Sequence, residues 1–316
     1  MASSDGLVLA LSGGVGGAKL ALGLYRILPP DTLMIVANTG DDFEHLGLSI
    51  SPDLDTLLYT LSGEANPELG WGRRGETWTF MAALEKLGGE TWFRLGDGDL
   101  ATHIERTRRL AAGEPLSTIM DDFRRRLGIA ARILPATDDK VRTRLTTDRG
   151  RLDFQDYFVR LHCEPVVRRL EFAGAETARP HLDFLAALAD PNLRAVVICP
   201  SNPFISIDPI LAVPGVRETL RECRAPIVAV SPIIGGKAVK GPTAKMMEEL
   251  GLPVDAAAVA QHYCDLIDIY IADETDRDAI AGRDLPIELA PTLMVTLEDR
   301  ENLARIVLAA ADRTRR

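Results

Sequence analysis

Five short runs of aliphatic residues recur along the chain, each followed by a turn rich in polar, glycine or proline residues and then by a helix-like pattern. They span residues 7–11, 32–37, 195–199, 227–230 and 269–272. Each run is almost uniformly apolar, as strands covered by helices on both faces must be. The pattern therefore predicts an α/β fold, with a Rossmann-like, mostly parallel sheet and helices on both of its faces.

The segments between these strands show different patterns of apolar and polar residues. Residues 64–128 read as helix, apart from a strand-like stretch at 91–95, and predict a helical insertion. Residues 129–172 contain alternating stretches such as 141–147, which predict antiparallel edge strands or a hairpin. Because the 316 residues contain no internal repeat and no linker, we expect one α/β catalytic unit over residues 1–316.

Charge narrows the classes of partner. The chain has 46 acidic and 36 basic residues, a formal net charge of −10, which disfavours binding to nucleic acid or to anionic lipid. No apolar run approaches the roughly 18 residues of a membrane span, and no basic segment precedes the first apolar stretch. We therefore expect a cytoplasmic protein that binds small molecules. Its four scattered cysteines indicate reduced, structural thiols.

The turn after the first predicted strand is unusually rich in glycine. Glycines let the backbone approach a phosphate closely, so a phosphate cradle is the sharper interpretation and a tight turn without ligand is the alternative. The candidates are Gly13, Gly14, Gly16, Gly17 and Lys19. The turn fits neither the dinucleotide fingerprint nor the P-loop, and the second strand ends at Asn38 rather than at an acidic residue. A dehydrogenase or a P-loop kinase is thus disfavoured.

Four carboxylates follow the second predicted strand. Asp41 and Asp42 come directly after it, and Asp53 and Asp55 open the next helix. Oxygen ligands of this kind suit Mg²⁺, which takes one or two carboxylates together with substrate phosphates. Helix capping is the alternative for Asp53. We predict Mg²⁺ ligands at Asp41, Asp42 and Asp53, and catalytic roles for Asp53 and Asp55.

Later strand ends add polar groups that could bind a nucleotide. Ser201 and Asn202 follow the third predicted strand, and Gly235 follows the fourth. Their side chains and amides can recognise a base or a ribose, although structural turns explain them equally well. With Asn38 and the glycine-rich turn, they complete the predicted nucleotide and phosphate site. Arg94, beside aromatic residues, either faces a planar ligand or extends to solvent.

Six segments in the same order resemble the 2-phospho-L-lactate transferase family of deazaflavin coenzyme F-420 biosynthesis. They are residues 12–20, 38–42, 51–56, 101–103, 200–203 and 231–235. The glycine-rich turn alone is weak evidence, but the ordered set spans nearly the whole chain. One departure is Gly98, where family members often carry Arg or Lys.

The resemblance implies a reaction. Family members transfer a phosphoryl-linked three-carbon acid from a guanosine diphosphate conjugate to the terminal ribityl hydroxyl of the deazaflavin Fo, releasing GMP with Mg²⁺ present. Asp55 and Arg94 match positions that contact the deazaflavin, which makes Asp55 the candidate to orient or deprotonate the hydroxyl. The resemblance also suggests a homodimer. Because of Gly98, phospholactate, phosphoenolpyruvate and 3-phosphoglycerate all stay open as the transferred acid.

Two other functions compete with this one. A non-catalytic relative of the same superfamily shares a similar glycine-rich turn, binds nucleotide sugars and regulates metabolism. Residues 51–55 would not be expected in such a regulator and favour the transferase. The third alternative, a dinucleotide oxidoreductase, is disfavoured by the missing glycine at Lys19 and the missing acid at Asn38.

Overall fold

A computed structural model describes residues 6–68, 70–239, 241–282 and 284–314. In chain order the strands of these residues are β1 (Val8–Ser12), β2 (Leu33–Ala37), β3 (Phe43–His45), β4 (Leu48–Ile50), β5 (Arg132–Pro135), β6 (Arg142–Thr147), β7 (Gly150–Asp153), β8 (Val167–Ala173), β9 (Ala195–Ile198), β10 (Ile227–Val230), β11 (Ile233–Ile234), β12 (Lys237–Ala238), β13 (Ile269–Asp273) and β14 (Ile287–Ala290).

The α-helices alternate with these strands over most of the chain. They are α1 (Gly14–Ile27), α2 (Pro52–Ser62), α3 (Thr79–Lys86), α4 (Asp97–Ala111), α5 (Leu116–Arg126), α6 (Leu182–Ala189), α7 (Asp208–Leu211), α8 (Val216–Glu222), α9 (Thr243–Glu249), α10 (Ala256–His262), α11 (Arg277–Ile280) and α12 (Leu297–Thr314). Within the described residues, none of these helices combines the length and the apolar character needed to cross a membrane.

A seven-stranded, wholly parallel sheet forms the centre, in the order β14-β13-β10-β9-β1-β2-β5. Alternate residues of β1 enter different cores: Val8 and Ala10 pack with α1, α2 and α12, whereas Leu9 and Leu11 pack with α6, α8 and α10. Successive side chains of a strand point to opposite faces, so both faces of the sheet are covered by helices. The predicted fold class is confirmed.

The prediction missed the two outer strands of this sheet. The five apolar runs correspond to β1, β2, β9, β10 and β13, but β5 and β14 flank them. These two strands carry Arg132 and Glu288 among only four residues each. An outer strand has one unpaired edge and less burial, so charged residues interrupt its apolar pattern.

One local prediction was wrong, and another was confirmed in one of its two alternatives. Residues 91–95 form no strand, and Phe93 instead packs edge-on against Phe43 at a ring distance of 4.8 Å. For residues 129–172 the hairpin alternative is confirmed, because β6 and β7 pair antiparallel across a two-residue turn, whereas the edge-strand alternative is wrong, because these strands and β8 form a separate three-stranded sheet. The buried Thr143, Leu145 and Thr147 give β6 the alternation seen in the sequence.

Residues 64–128 contain α3, α4 and α5 and lie between α2 and β5. This segment brings charged residues of α4 against α2, next to the carboxyl ends of the main strands. That the whole chain acts as one catalytic unit stays a prediction.

Candidate functional site

A cleft of about 770 Å³ opens at the carboxyl ends of the central strands. Its lining includes Gly14 after β1, Asp41 after β2, Ser201 after β9 and Ser231 after β10. In open parallel sheets this edge is where loops converge and helix N-termini point toward a ligand. The cleft therefore lies where the strand pattern predicted a site.

The glycine-rich turn forms the start of α1 and one part of the cleft wall. Gly14 adopts a positive φ of 65°, and its amide donates a 2.7 Å hydrogen bond to Oδ1 of Asp53. The amide of Gly13 donates to Oγ of Ser201 at 3.1 Å. These contacts tie the turn to α2 and to the loop after β9.

Close packing accounts for three of the four glycines: a Cβ at Gly13 would lie 2.6 Å from Cβ of Ser206. A Cβ at Gly16 would lie 2.4 Å from the carbonyl oxygen of Pro200, and one at Gly17 would lie 2.4 Å from Oγ of Ser201. Gly16 lines the cleft, whereas Gly17 is absent from the lining. Packing alone therefore explains Gly17, whereas Gly13 and Gly16 combine close packing with a place in the cleft wall.

Asp53 is a buried junction in the first turn of α2. Besides the Gly14 amide, it accepts a 2.9 Å hydrogen bond from Nδ2 of Asn38. Asn38 also donates to the carbonyl of Ile205 at 3.1 Å and accepts from the amide of Gly40 at 2.7 Å. Burial raises the pKa of Asp53 to about 6, although the bonds from Asn38 and Gly14 favour the ionised form. Asn38 lies behind the cleft lining and supports Asp53.

Asp41 and Asp42 differ in their access to the cleft. Asp41 lines it, and its buried Oδ1 has no hydrogen-bond partner. Burial and the nearby charge of Asp53 raise the pKa of Asp41 well above its usual range. Asp42 lies outside the lining, and its Oδ2 accepts a 2.9 Å hydrogen bond from Oγ of Ser51. Burial raises the pKa of Asp42 to about 7.

The acidic cluster fits Mg²⁺ only in part. Among the described residues, no group of three or more His, Cys, Asp or Glu side chains is arranged to hold a metal ion. Mg²⁺ nevertheless binds commonly through one or two carboxylates plus substrate phosphates. The unpartnered oxygen of Asp41, beside the charge of Asp53, matches that requirement, whereas Asp42 does not face the cleft.

Asp55 forms a buried ion pair that the sequence analysis did not predict. Arg106 of α4, which is wholly inaccessible to solvent, donates from one Nη to Oδ2 of Asp55 at 3.1 Å and from the other to Oδ1. The same guanidinium donates to the carbonyl of Ser49 at 3.2 Å. A bidentate guanidinium fixes the plane and position of a carboxylate. Asp55 lines the cleft in this fixed orientation.

Other polar residues of α4 and α2 also escaped the sequence analysis. Asp99, His103 and Arg106 lie four and three residues apart, which places them on one face of α4. Tyr59 of α2 donates to Asp99, and both line the cleft. The signal that could have revealed them is this charged stripe on a helix that otherwise packs against the fold.

Aromatic side chains form a further part of the wall. Trp71, Trp92, Phe93 and Phe158 line the cleft. Arg94 is exposed at the same wall, and its guanidinium lies 4.0 Å from the centre of the Trp78 ring. Stacking on an aromatic face holds an arginine without removing its charge from the cleft.

The remaining residues predicted to bind the nucleotide mostly form hydrogen bonds with other residues of the protein. Oδ1 of Asn202 accepts the amide of Phe204 at 2.9 Å, which caps the π-helical turn Pro203–Ile207. The amide of Gly235 donates to Asp276 at 3.0 Å, and Gly235 itself is absent from the lining. Lys19 lines the cleft and donates to the carbonyl of Met294 at 2.7 Å.

The structure brings most predicted site residues to one cleft. Those that line it are Gly13, Gly14, Gly16, Lys19, Asp41, Asp53, Asp55, Arg94, Ser201 and Asn202. Those that do not are Gly17, Asn38, Asp42 and Gly235. Gly17 and Asn38 support cleft residues from behind, Asp42 is bound by Ser51, and Gly235 is bound by Asp276.

Fold and cleft together define a Rossmann-like α/β protein with a glycine-rich turn and buried carboxylates at one edge of its sheet. The chain belongs to the family described as 2-phospho-L-lactate transferase CofD, whose model matches residues 8–300. It is therefore a transferase acting on small molecules, and the predicted family is confirmed. Family membership supports a role in coenzyme F-420 biosynthesis. Mg²⁺, a homodimer and a cytoplasmic location stay predictions.

Several relatives match nearly the full length of this chain. A phosphoenolpyruvate transferase of Kitasatospora aureofaciens is 41% identical over 318 residues, covering 98% of both chains. Those of Streptomyces coelicolor and Mycobacterium tuberculosis are 38% and 39% identical, covering 98% and 96% of this chain and 99% and 98% of the relative. A solved UPF0052 family protein from Bacillus halodurans superposes with a TM-score of 0.63 at 14% identity, covering 97% of this chain and 99% of that one. That likeness shows the fold alone.

Proposed function

We propose that this chain transfers a phosphoenolpyruvyl group from a guanosine diphosphate conjugate to the terminal ribityl hydroxyl of the deazaflavin Fo, releasing GMP. Three relatives that match nearly the full length bear the name phosphoenolpyruvate transferase, which favours this acid over phospholactate and 3-phosphoglycerate. The observation that carries the proposal is the hydrogen bond from the Gly14 amide to Asp53, because it joins the glycine-rich turn to the carboxylate cluster.

The reaction is a displacement at phosphorus. The ribityl hydroxyl oxygen bonds to the phosphorus that carries the enolpyruvyl group, while the bond from this phosphorus to the bridging diphosphate oxygen breaks. GMP leaves with that electron pair, and the hydroxyl proton passes to the carboxylate that the hydroxyl contacts. Such reactions depend mainly on positioning and on stabilisation of negative charge.

The donor's diphosphate belongs at the N-terminus of α1. The first-turn residues Val15 and Gly16 line the cleft, and the amides of a helix N-terminus attract phosphate. Lys19, in the next turn, lines the same wall and adds positive charge. Ser201 borders this wall and holds the Gly13 amide. These groups would fix the guanylyl diphosphate while its distal phosphorus points toward Asp55.

The acceptor belongs at the aromatic part of the cleft. Arg94 on Trp78, with Trp71 and Phe93 nearby in the lining, offers a surface for the planar deazaflavin rings. Asp55, held by Arg106 in one orientation, would accept the hydrogen bond of the ribityl hydroxyl and take its proton. Because Asp55 is paired with Arg106, orienting the ribityl hydroxyl is the larger part of its role and accepting the proton is the smaller part.

Mg²⁺ would be held by Asp41 and Asp53 together with phosphate oxygens of the donor. When bound, the ion neutralises negative charge that develops on the phosphates during transfer. Asp42 would not be a ligand in this arrangement, since it lies outside the cleft lining.

The test is a transfer assay with purified full-length protein, Mg²⁺ and Fo, supplied separately with guanylylated phosphoenolpyruvate, phospholactate or 3-phosphoglycerate. We expect GMP release and a phosphodiester product fastest with the phosphoenolpyruvate conjugate. An Asp55→Asn variant should be slow, and Asp153→Asn, an exposed surface control, should match the wild type. Absence of GMP release with all three donors would overturn the proposal, and tight binding of a uridine sugar without transfer would favour the regulatory alternative.

A further inference from the structure

A chain of three side chains connects the cleft surface to Asp55 through α4. Nε2 of His103 lies 3.0 Å from Oδ2 of Asp99, and Nδ1 of His103 lies 3.4 Å from an Nη of Arg106. That same Nη donates to Asp55 at 3.1 Å. His103 is 2% exposed and Arg106 is wholly buried, so the middle of the chain is shielded from water.

The direction of hydrogen bonding in this chain follows from the chemistry of arginine. The Nη of Arg106 that faces His103 also donates to Asp55 and to the carbonyl of Ser49, and because a guanidinium can only donate, Nδ1 of His103 accepts a longer, shared hydrogen bond from it. The ring hydrogen of a neutral His103 is then on Nε2, facing the Asp99 carboxylate, a tautomer assigned from the surrounding network. One neutral imidazole thus connects a carboxylate on one side to a guanidinium on the other.

Asp99 is itself firmly held. Tyr59 donates to its Oδ1, and its backbone amide donates to Oε1 of Glu76 at 2.8 Å. Burial would raise the pKa of Asp99, but the adjacent imidazole of His103 and the hydrogen bond from Tyr59 outweigh burial, and the pKa lies below its usual range. Asp99 is therefore a fixed, charged anchor at the cleft wall.

We propose that His103 is a positioning residue, which, anchored by Asp99, fixes the guanidinium of Arg106 and through it the carboxylate of Asp55. This inference rests on the proposed function, in which Asp55 orients the acceptor hydroxyl. Groups that hold an active-site residue from behind set its orientation, and a displacement of about 1 Å at the reacting centre costs on the order of 100-fold in rate. His103 lines the cleft and its Nδ1 lies 3.7 Å from Oδ2 of Asp55, but the role proposed for it is exerted on Asp55 through Arg106 rather than on a substrate.

Two substitutions at one position separate the hydrogen bond from the packing. His103→Leu keeps the bulk but offers no acceptor to Arg106, so we expect kcat to fall ~10- to 100-fold, with the KM of the guanylylated donor nearly unchanged. His103→Asn places a carbonyl oxygen near the former Nδ1 and should keep most of kcat. Asp99→Asn, which preserves shape but removes the anchoring charge, should lower kcat in the same way as His103→Leu.

Thr107→Val is the matched control on the same helix. Thr107 receives the amide of Ser49 at 2.7 Å and donates to the carbonyl of His103, so its loss disturbs the packing of α4 without breaking the chain to Asp55. We expect a lower melting temperature with kcat near the wild type. If Thr107→Val is as slow as His103→Leu, the effect is structural and the proposal is overturned.

A double variant shows whether His103 acts through Asp55. In an Asp55→Asn background, His103→Leu should cause little further loss of kcat, because the group that it positions has already lost its charge. The proposal would be overturned if the losses of kcat caused by Asp55→Asn and by His103→Leu multiplied in the double variant. Equal kcat for His103→Leu and His103→Asn would also overturn it. Wild-type transfer is measured first: its absence overturns the proposed function, whereas normal transfer with an unaffected His103→Leu overturns this inference alone.

Discussion

The amide of Gly14 donates a 2.7 Å hydrogen bond to Oδ1 of Asp53, joining the first turns of α1 and α2 across 39 residues of sequence. A helix N-terminus, which attracts phosphate, therefore meets a cluster of carboxylates at one rim. Asp55, two residues further on, lines the same cleft. Had Gly14 and Asp55 faced different sides of the protein, a shared site for a diphosphate and an alcohol would be excluded.

Substitution of Gly16 by alanine should damage donor binding. Its Cβ would meet the carbonyl oxygen of Pro200 at 2.4 Å, and because that oxygen is backbone, the start of α1 must shift. Overpacking of this kind costs about 1–3 kcal/mol. We expect a lower urea midpoint and a higher KM for the guanylylated donor. The comparison is Gly63→Ala, which strains a positive φ of 75° in open space and should lower stability without changing that KM. An unchanged donor KM in Gly16→Ala would contradict this role.

Removal of the Asp55 carboxylate should cost stability as well as activity. Asp55→Ala leaves the buried guanidinium of Arg106 without its partner, and breaking a buried ion pair costs about 3–5 kcal/mol. Urea unfolding measures this loss. The double variant Asp55→Leu/Arg106→Met should recover most of the stability but no transfer. Asp153→Ala, which breaks an exposed pair with Arg144, should cost less than about 1 kcal/mol. Equal losses at the buried and exposed sites would refute the prediction.

Stability should fall as the pH rises from 4 to 7. Burial raises the pKa of Asp42 to about 7, so the folded protein holds this proton more tightly than the unfolded chain. Its stabilising contribution is complete below the unfolded pKa of about 4 and is lost as the pH rises through 7. The slope is steepest at about 1.4 kcal/mol per pH unit for one group. Asp53, with a pKa raised to about 6, adds to the slope with the same sign.

The variant Asp42→Asn checks this assignment. It keeps an acceptor for Ser51 but cannot ionise, so it should flatten the slope and be more stable than the wild type at pH 8. Urea unfolding at pH 5 and pH 8 in EDTA measures both quantities. Asp153→Asn serves as the surface control. A slope identical to the wild type in Asp42→Asn would show that another group carries the pH dependence.

The proposed Mg²⁺ site predicts different effects for substitutions at Asp41 and at Asp42. Each of the two has a buried Oδ1 without a hydrogen-bond partner, but only Asp41 lines the cleft. Asp41→Asn should therefore raise the Mg²⁺ concentration for half-maximal transfer on the order of 10-fold or more, while Asp42→Asn leaves it nearly unchanged. EDTA should abolish transfer in the wild type, and added Mg²⁺ should restore it. The opposite order of the two variants would move the ion to Asp42.

Periodicity revealed the central strands but not the outer ones. Strands buried on both faces are uniformly apolar, so the five inner runs were visible in the sequence. In β5 and β14, Arg132 and Glu288 break the pattern because one edge of each strand is unpaired. Residues 91–95 were mistaken for a strand because Trp92 and Phe93 are apolar for another reason, their packing against Phe43 and His45.

Strand ends also revealed the carboxylates and the glycine-rich turn, since each follows an apolar run directly. The partners of these groups were not visible. Arg106 reaches Asp55 from a helix 51 residues away, and Asp276 takes the amide of Gly235 across 41 residues. No local pattern connects such pairs.

The sequence by itself determined the fold class, the family and the strand ends at which chemistry is placed, because burial and glycine content leave local, periodic traces. Only the tertiary structure decided which of those residues face the cleft. It placed Asp41 at the cleft and Asp42 behind it, and it paired Asp55 with Arg106. The physical reason is that the direction of a side chain and its hydrogen-bond partner depend on how distant helices pack onto the sheet.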